Sequence, residues 1–243
     1  MTQIKAVFFD LDETLVQNKL DVTELFKQVY VEFLNDLGWE NRQVFFAEFT
    51  KRAKYTWANM FEHQESPERQ LIECFEYGIA ETKAVPSPRQ LSLAQEMFNL
   101  FLSLSRNNVW FHPGAEQVLG ELRSMGIVTG IITNGMEHIQ LGKIEQLNLV
   151  SMVDHVTVSA QARAHKPLSA VFELALERAA VSAEVSMMVG DHPTNDVEGA
   201  KRAGLSGVYY NPQQLSVDHA FRELKEQPDH VISELTELLP LVR

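Results

Sequence analysis

Lys5-Ala-Val-Phe-Phe-Asp-Leu-Asp-Glu-Thr-Leu15 is the most informative stretch of the chain. Ala6, Val7, Phe8 and Phe9 form an unbroken apolar run, the pattern of a strand buried on both faces of a parallel sheet. Asp10 and Asp12 follow at once, at the carboxyl end of that predicted strand, where open α/β sheets hold their ligands. Two acids in such a place repel each other and lose hydration, a cost that a hard cation such as Mg2+ offsets. Acids at strand ends also cap helices and close turns, so the pair taken alone leaves both readings open.

Three more apolar runs end in residues of matching chemistry. Thr133 and Asn134 follow Ile127-Val-Thr-Gly-Ile-Ile132. Lys166 lies in Ala164-His-Lys-Pro167, after the short run Val156-Thr-Val158, and Gly190-Asp191 close Val185-Ser-Met-Met-Val189, with Asp196 shortly beyond. In a parallel sheet these strand ends converge on one edge. Helical patterns fall between the runs, over Pro113 to Gly126, Glu137 to Leu147, Leu168 to Ala180 and Asp196 to Ala203. Val208–Tyr210 and His230–Ile232 read as further strands, and a last helix from Ser233 to Leu239 is expected to end at Pro240. Strands alternating with helices predict an α/β fold, a doubly wound parallel sheet.

Between Gln17 and Val109 the period changes. Val22, Leu25, Phe26, Val29, Tyr30, Phe33, Leu34 and Leu37 recur at helical spacing up to Gly38, and a second helix after Asn41 carries Val44, Phe45, Phe49 and Trp57. Ser66-Pro67 and Ser87-Pro88 each read as an N-cap followed by proline in the first turn. The interval contains no convincing strand, so an all-helical domain over residues 17–109 is expected inside a core of residues 1–16 and 110–243. Its aromatic and methionine residues read as packing.

These four motifs, in this order, resemble the haloacid dehalogenase-like hydrolase superfamily, and within it the phosphatase branch with a helical cap inserted after the first core strand. The resemblance implies a Rossmann-like core and Mg2+ as cofactor. It implies that Asp10 is the nucleophile, forming an aspartyl-phosphate, and that the backbone carbonyl of Asp12 joins the metal. Asp12 would protonate the leaving alcohol and then deprotonate the attacking water. The backbone N–H of Leu11 would cradle phosphate oxygens, Thr133 would donate its hydroxyl to the phosphoryl group beside the Asn134 N–H, and Lys166 would neutralise the phosphate and Asp10. Thr133 also suits the N-cap of the following helix. Asp191 would ligate the metal directly, while Asp196 would act through water or orient Lys166, or serve only as the N-terminal acid of its helix. Glu13 departs from the pattern, standing where many relatives have Gly or Asn. The cap would select the leaving group, since core residues meet only the phosphoryl end.

Composition narrows the field further. The 243 residues carry a net charge of −12, which argues against a binder of nucleic acid or of anionic membrane that works through a broad basic surface. No apolar run approaches the length of a membrane span, and no signal-peptide pattern precedes Asp10. Cys74 is the single cysteine, so no intrachain disulfide forms and a cytoplasmic setting is expected. His165 and His192 lack a second histidine at ligand spacing, which speaks against Zn2+. The expected substrate is a small phosphorylated metabolite: a nucleoside monophosphate, a sugar phosphate or a phosphoglycolate-like ester. The alternatives are a 2-haloacid dehalogenase, for which a second acid and a metal are unnecessary, a phosphomutase, and a non-catalytic regulatory binding module.

Overall fold

A computed structural model describes residues 3–62 and 65–243. The chain divides into two compact units, the residues up to Lys19 with Val109–Arg243, and Leu20–Asn108. In the first unit, strands β1 (Ala6–Phe9), β4 (Val128–Thr133), β5 (His155–Val158), β6 (Ser186–Gly190), β7 (Ser206–Tyr210) and β8 (His230–Ile232) form one sheet in the order β5-β4-β1-β6-β7-β8. Every pairing in it is parallel. The chain runs outward from β1 through β4 to β5, then returns to β6 on the other side of β1. The order therefore reverses between β1 and β6, and the crevice outside their carboxyl ends is where such sheets bind ligands.

Alternation along β1 divides the core. Val7 and Phe9 pack on one face with Ile131, Val189 and Tyr210, against Val118, Leu119 and Leu122 of α6 (Ala115–Ser124) and Leu235 and Leu238 of the terminal 3-10 helix (Leu235–Val242). Ala6 and Phe8 pack on the other face with Met188, against Val171, Phe172 and Ala175 of α9 (Ser169–Ala179). Both faces are covered by helices, as the apolar run in β1 required. Phe8 is fully buried beside Gly130, where an added Cβ would lie 2.6 Å from its ring.

Several boundaries differ from expectation. A two-stranded antiparallel ribbon, β2 (Val16–Asn18) with β3 (Val109–Phe111), brackets the insertion. It moves the division to Lys19/Leu20 and Asn108/Val109, not 16/17 and 109/110; strands of three residues leave too short a pattern to read. His112, just past the ribbon, links it to the sheet: its Nε2 lies 3.1 Å from Gln17 Nε2 and its Nδ1 2.7 Å from Tyr210 Oη. Burial holds the His112 imidazole below its usual range and pushes Tyr210 up to about 12. The helix expected at Asp196 begins earlier, as a π-helical turn over Pro193–Glu198 that continues into α10 (Gly199–Arg202). Pro240 lies inside the terminal 3-10 helix and does not end it.

The second unit is helical: α1 (Val22–Glu32), α2 (Leu34–Leu37), α3 (Arg42–Ala58), α4 (Pro67–Thr82) and α5 (Ser87–Asn107). Ser66 caps α4, its side chain accepting from the Arg69 N–H, whereas α5 starts at Ser87 itself with Pro86 at the N-cap. Aromatic rings fill the interior: Phe26 stacks on Phe101 at 4.5 Å, and Phe49 meets Phe75 at 4.9 Å. Val44 and Trp57, expected on the packed stripe with Phe45 and Phe49, are exposed. Among the described residues, no helix is long and apolar enough to cross a membrane.

Phe8→Ala should cost about 3–5 kcal/mol, the range for truncating a buried phenylalanine to alanine. Urea unfolding would read this as a lowered midpoint at unchanged slope.

Candidate active site

The candidate residues stand where the sheet delivers them. Asp10 leaves β1 with its backbone N–H still donating to the Val189 carbonyl at 2.9 Å, one step past the Phe9–Val189 pair. Asp191 follows β6, and Thr133 is the last residue of β4. Lys166 comes from the loop after α8 (Ser159–Ala162). The Asn134 side chain fixes that loop by accepting the Lys166 N–H at 2.8 Å and donating to the Lys166 carbonyl at 3.1 Å. Asn134 thus positions the lysine through its side chain, a role that a phosphate-facing backbone N–H did not suggest.

Lys166 Nζ is buried with all three donors used: Asp10 Oδ1 at 2.8 Å, Asp196 Oδ1 at 2.6 Å and the Ile132 carbonyl at 2.8 Å. Asp196 Oδ2 accepts the His192 N–H at 2.9 Å. Asp196 therefore lies in the first turn of the π-helical segment with both oxygens engaged, so it is the N-terminal acid of that segment and a partner of Lys166 at once. Gly190 makes room for it, since a Cβ there would fall 2.3 Å from the Asp196 carboxyl carbon. Asp10, Asp191 and Asp196 each offer an oxygen within 4.8 Å of the others.

This acidic group is electrostatically loaded. Burial pushes Asp10 up to about 8; Lys166 pulls against it while Asp196 and Asp191 add to it. Asp191 is pushed up to about 6 by burial and by Asp196. An all-carboxylate donor set in this condition fits a hard divalent cation of the Mg2+ type, which takes oxygen ligands and favours the ionised form of each.

Asp12 has a different environment. It stands outside the three-carboxylate group, with Oδ1 accepting from Lys143 Nζ at 2.6 Å and Asn18 Nδ2 at 3.0 Å, and Oδ2 from Gln140 Nε2 at 2.8 Å. Burial raises its pKa, but Lys143 and the three bonds outweigh burial and hold the carboxyl below its usual range. Gln140 and Lys143 lie on α7 (Glu137–Gln146). Sequence reading missed both; the available signal was two polar residues three apart on the helix that follows Thr133. Gln140 Nε2 also donates to Thr133 Oγ1 at 2.6 Å, which leaves the threonine hydrogen available for another acceptor. Thr133 is not an N-cap, for Met136 holds that position in α7.

One expected contact needs an exchange. The Leu11 N–H donates to Asp10 Oδ1 at 2.7 Å, so it meets a phosphate oxygen only by giving up that bond. Glu13 has φ 60°, the left-handed conformation that Gly and Asn adopt most readily. Its exposed side chain accepts from Asn18 Nδ2 at 3.1 Å.

Fold and site together define a hydrolase of α/β fold whose candidate residues lie at, or just beyond, the carboxyl ends of β1, β4 and β6 and in the loop after α8. The haloacid dehalogenase-like hydrolase pattern matches residues 4–204, and the chain belongs to that family. It is 32% identical to a ribulose-1,5-bisphosphate 5-phosphatase of Halopiger xanaduensis, over 98% of each chain. It is 28% identical to a glyceraldehyde 3-phosphate phosphatase of Pyrococcus furiosus, over 100% of this chain and 94% of that one. The crystal structure of a 2-haloacid dehalogenase from Pseudomonas syringae superposes with a TM-score of 0.77 at 26% identity, covering 98% of this chain and 97% of that one.

The raised carboxyls make stability depend on pH. A group whose folded pKa lies above its unfolded one stabilises the fold below the unfolded value and loses that contribution as pH rises through the folded value. In cation-free buffer the melting temperature should therefore fall from pH 5 to pH 8, as Asp191 and then Asp10 ionise. Asp10→Asn should flatten the fall between pH 6 and pH 8. A parallel decline in that variant, followed by differential scanning fluorimetry, would place the titrating group elsewhere.

Proposed function

We propose that the chain is a Mg2+-dependent phosphomonoester hydrolase that acts on a small phosphorylated metabolite through an aspartyl-phosphate intermediate. The observation that carries this reading is the meeting of Asp10, Asp191 and Asp196 around the buried Lys166 ammonium at the β1/β6 crevice. The phosphatase names of the relatives support it, and those whose names specify phosphorylated three- and five-carbon compounds favour a sugar-phosphate-like ester.

Asp10 and Asp191 would hold the cation, with the Asp12 carbonyl as the family resemblance implies and Asp196 oriented on Lys166 behind them. Mg2+ there supplies charge neutralisation of the phosphoryl oxygens. Once the Leu11 N–H turned to phosphate, Asp10 Oδ1 would keep Lys166 and have a lone pair for the cation, which leaves Oδ2 to attack phosphorus in line with the leaving oxygen. The free site holds Asp12 ionised, so it would take up a proton from the monoprotonated phosphate ester on binding and pass it to the departing alcohol as the Asp10–phosphorus bond forms and the ester bond breaks. In the second displacement Asp12 takes a proton from water, which attacks phosphorus and releases Asp10. The Thr133 hydroxyl would hold the phosphoryl group throughout, while the Lys166 ammonium, its three hydrogens kept by protein acceptors, would offset phosphoryl charge from beside Asp10. We assign the enzyme to the cytoplasm, an assignment supported by Cys74, a buried free thiol.

A second reading, haloacid dehalogenase, is favoured by the 26% identical dehalogenase structure. The two separate on one assay pair: phosphate release from p-nitrophenyl phosphate and sugar phosphates, and halide release from 2-chloropropionate. EDTA should abolish phosphate release, Mg2+ should restore it, and Ca2+, which accepts both oxygens of a carboxylate, should compete with Mg2+ as an inhibitor. Asp10→Asn should lower the rate at least ~10^3-fold, as loss of a covalent nucleophile does. Halide release in metal-free buffer with no phosphate release would overturn the phosphatase reading.

A further inference from the structure

The mechanism needs Asp12 to reach the leaving oxygen twice, yet Asp12 stands on a turn, and Thr133 is tied to its carboxylate only by way of Gln140. Its three donors come from elsewhere. Asn18 lies on β2, and Gln140 and Lys143 lie on α7, more than a hundred residues away in sequence. Both α7 side chains are buried. A lysine in such a place loses hydration and is retained only with a well-placed counter-charge. The backbone is shaped for Gln140 as well: a Cβ on Gly135 would lie 2.7 Å from Gln140 Cγ.

The division of these bonds between the two oxygens matters. Oδ1 receives Lys143 and Asn18, filling both of its lone pairs. Among the described residues Oδ2 receives Gln140 alone, so one lone pair on Oδ2 remains to carry the travelling proton. The same Gln140 amide spends its second hydrogen on Thr133 Oγ1. One side chain thus fixes both the group that moves the proton and the hydroxyl offered to the phosphoryl group.

We propose that Lys143 and Gln140 are positioning residues that hold Asp12 with Oδ2 aimed at the leaving oxygen and, through Gln140, tie its placement to that of Thr133. The proposal rests on the phosphatase reading. It adds that proton delivery is set by α7 and not by the catalytic turn alone. Lys143 binds no substrate in this account; its 2.6 Å bond to Oδ1 acts through Asp12 by fixing the direction of the carboxyl.

The test compares leaving groups. In the first displacement Asp10 bonds to phosphorus, the ester bond breaks, and its electron pair takes the Asp12 proton; an alkoxide needs that proton far more than p-nitrophenolate does. The kcat/KM value reports this half-reaction. With wild type, Asp12→Asn, Lys143→Met, Lys143→Arg and the Asp12→Asn/Lys143→Met double variant, kcat/KM would be measured on p-nitrophenyl phosphate and on glycerol phosphate. Lys143→Met should lose at least ~10-fold more on the alkyl ester than on the aryl ester, within the ~10^2–10^4-fold span of general acid–base effects. Lys143→Arg should recover most of that loss. The double variant should be no slower than Asp12→Asn alone, since a group that acts only through Asp12 has nothing further to remove.

Equal losses on both esters, a rise in KM at unchanged kcat, or additive losses in the double variant would each overturn the proposal. If Lys143→Met does not fold, Gln140→Met reads the same coupling, with the same leaving-group split and the same silence on the Asp12→Asn background expected. The phosphatase reading fails separately, by an inactive wild type, or by an Asp12→Asn variant that loses nothing on either ester. An Asp12→Asn variant that loses activity without a leaving-group split leaves the phosphatase reading standing and overturns the positioning proposal.

Discussion

A buried ammonium must spend its hydrogens on protein acceptors, and the arrangement around Lys166 follows from that requirement. Its three partners come from three parts of the fold: Asp10 from the end of β1, the Ile132 carbonyl from β4, and Asp196 from the turn after β6. Only a parallel sheet whose central strands end at the same level brings these together. The register does so, pairing Phe9 with both Ile131 and Val189. Removing either carboxylate would strip the ammonium of one of its two counter-charges in an interior that hydrates it poorly. The site is therefore held by the same register that packs Val7 and Phe9 on one face of the sheet and Phe8 on the other.

Asp10 and Asp12 are separated by one residue and live in opposite fields. Asp10 shares its surroundings with two other carboxylates and burial drives it toward the neutral form, whereas Lys143 and two amides keep Asp12 ionised. The turn after β1 produces this contrast: Val16 returns to bond the Leu11 carbonyl at 2.9 Å, sending successive side chains to different neighbours. Two chemically identical groups acquire distinct protonation preferences through the neighbours that the turn gives each of them.

Most of the sheet and the set of strand-end residues were legible because both rest on local signals. Unbroken apolar runs mark β1 and β6, and the polar residue after each run marks the edge. The partners of Asp12 were not legible, since no local pattern links Asp12 to Lys143 across the chain. Thr133 read equally well as a cap, and only the start of α7 after Met136 removes that role. The ribbon β2–β3 and the early start of the helix at Pro193 escaped for a different reason: short strands and a π-helical turn carry no distinctive period. Glu13 shows the reverse case, a departure from the family pattern whose meaning appeared only with its φ of 60°.

Gly190 and Gly135 supply no functional atoms, yet each keeps open the volume that a polar side chain fills, Asp196 in one case and Gln140 in the other. For anyone redesigning this enzyme, tolerance to mutation will not follow chemical interest. A library that protects every charged residue but randomises these glycines would evict the carboxylate beneath Lys166 and the amide beside Asp12 while leaving both in the sequence. In such a scaffold the vacant space is inherited along with the reactive groups, and a transplanted site that copies only the latter would arrive without room to assemble.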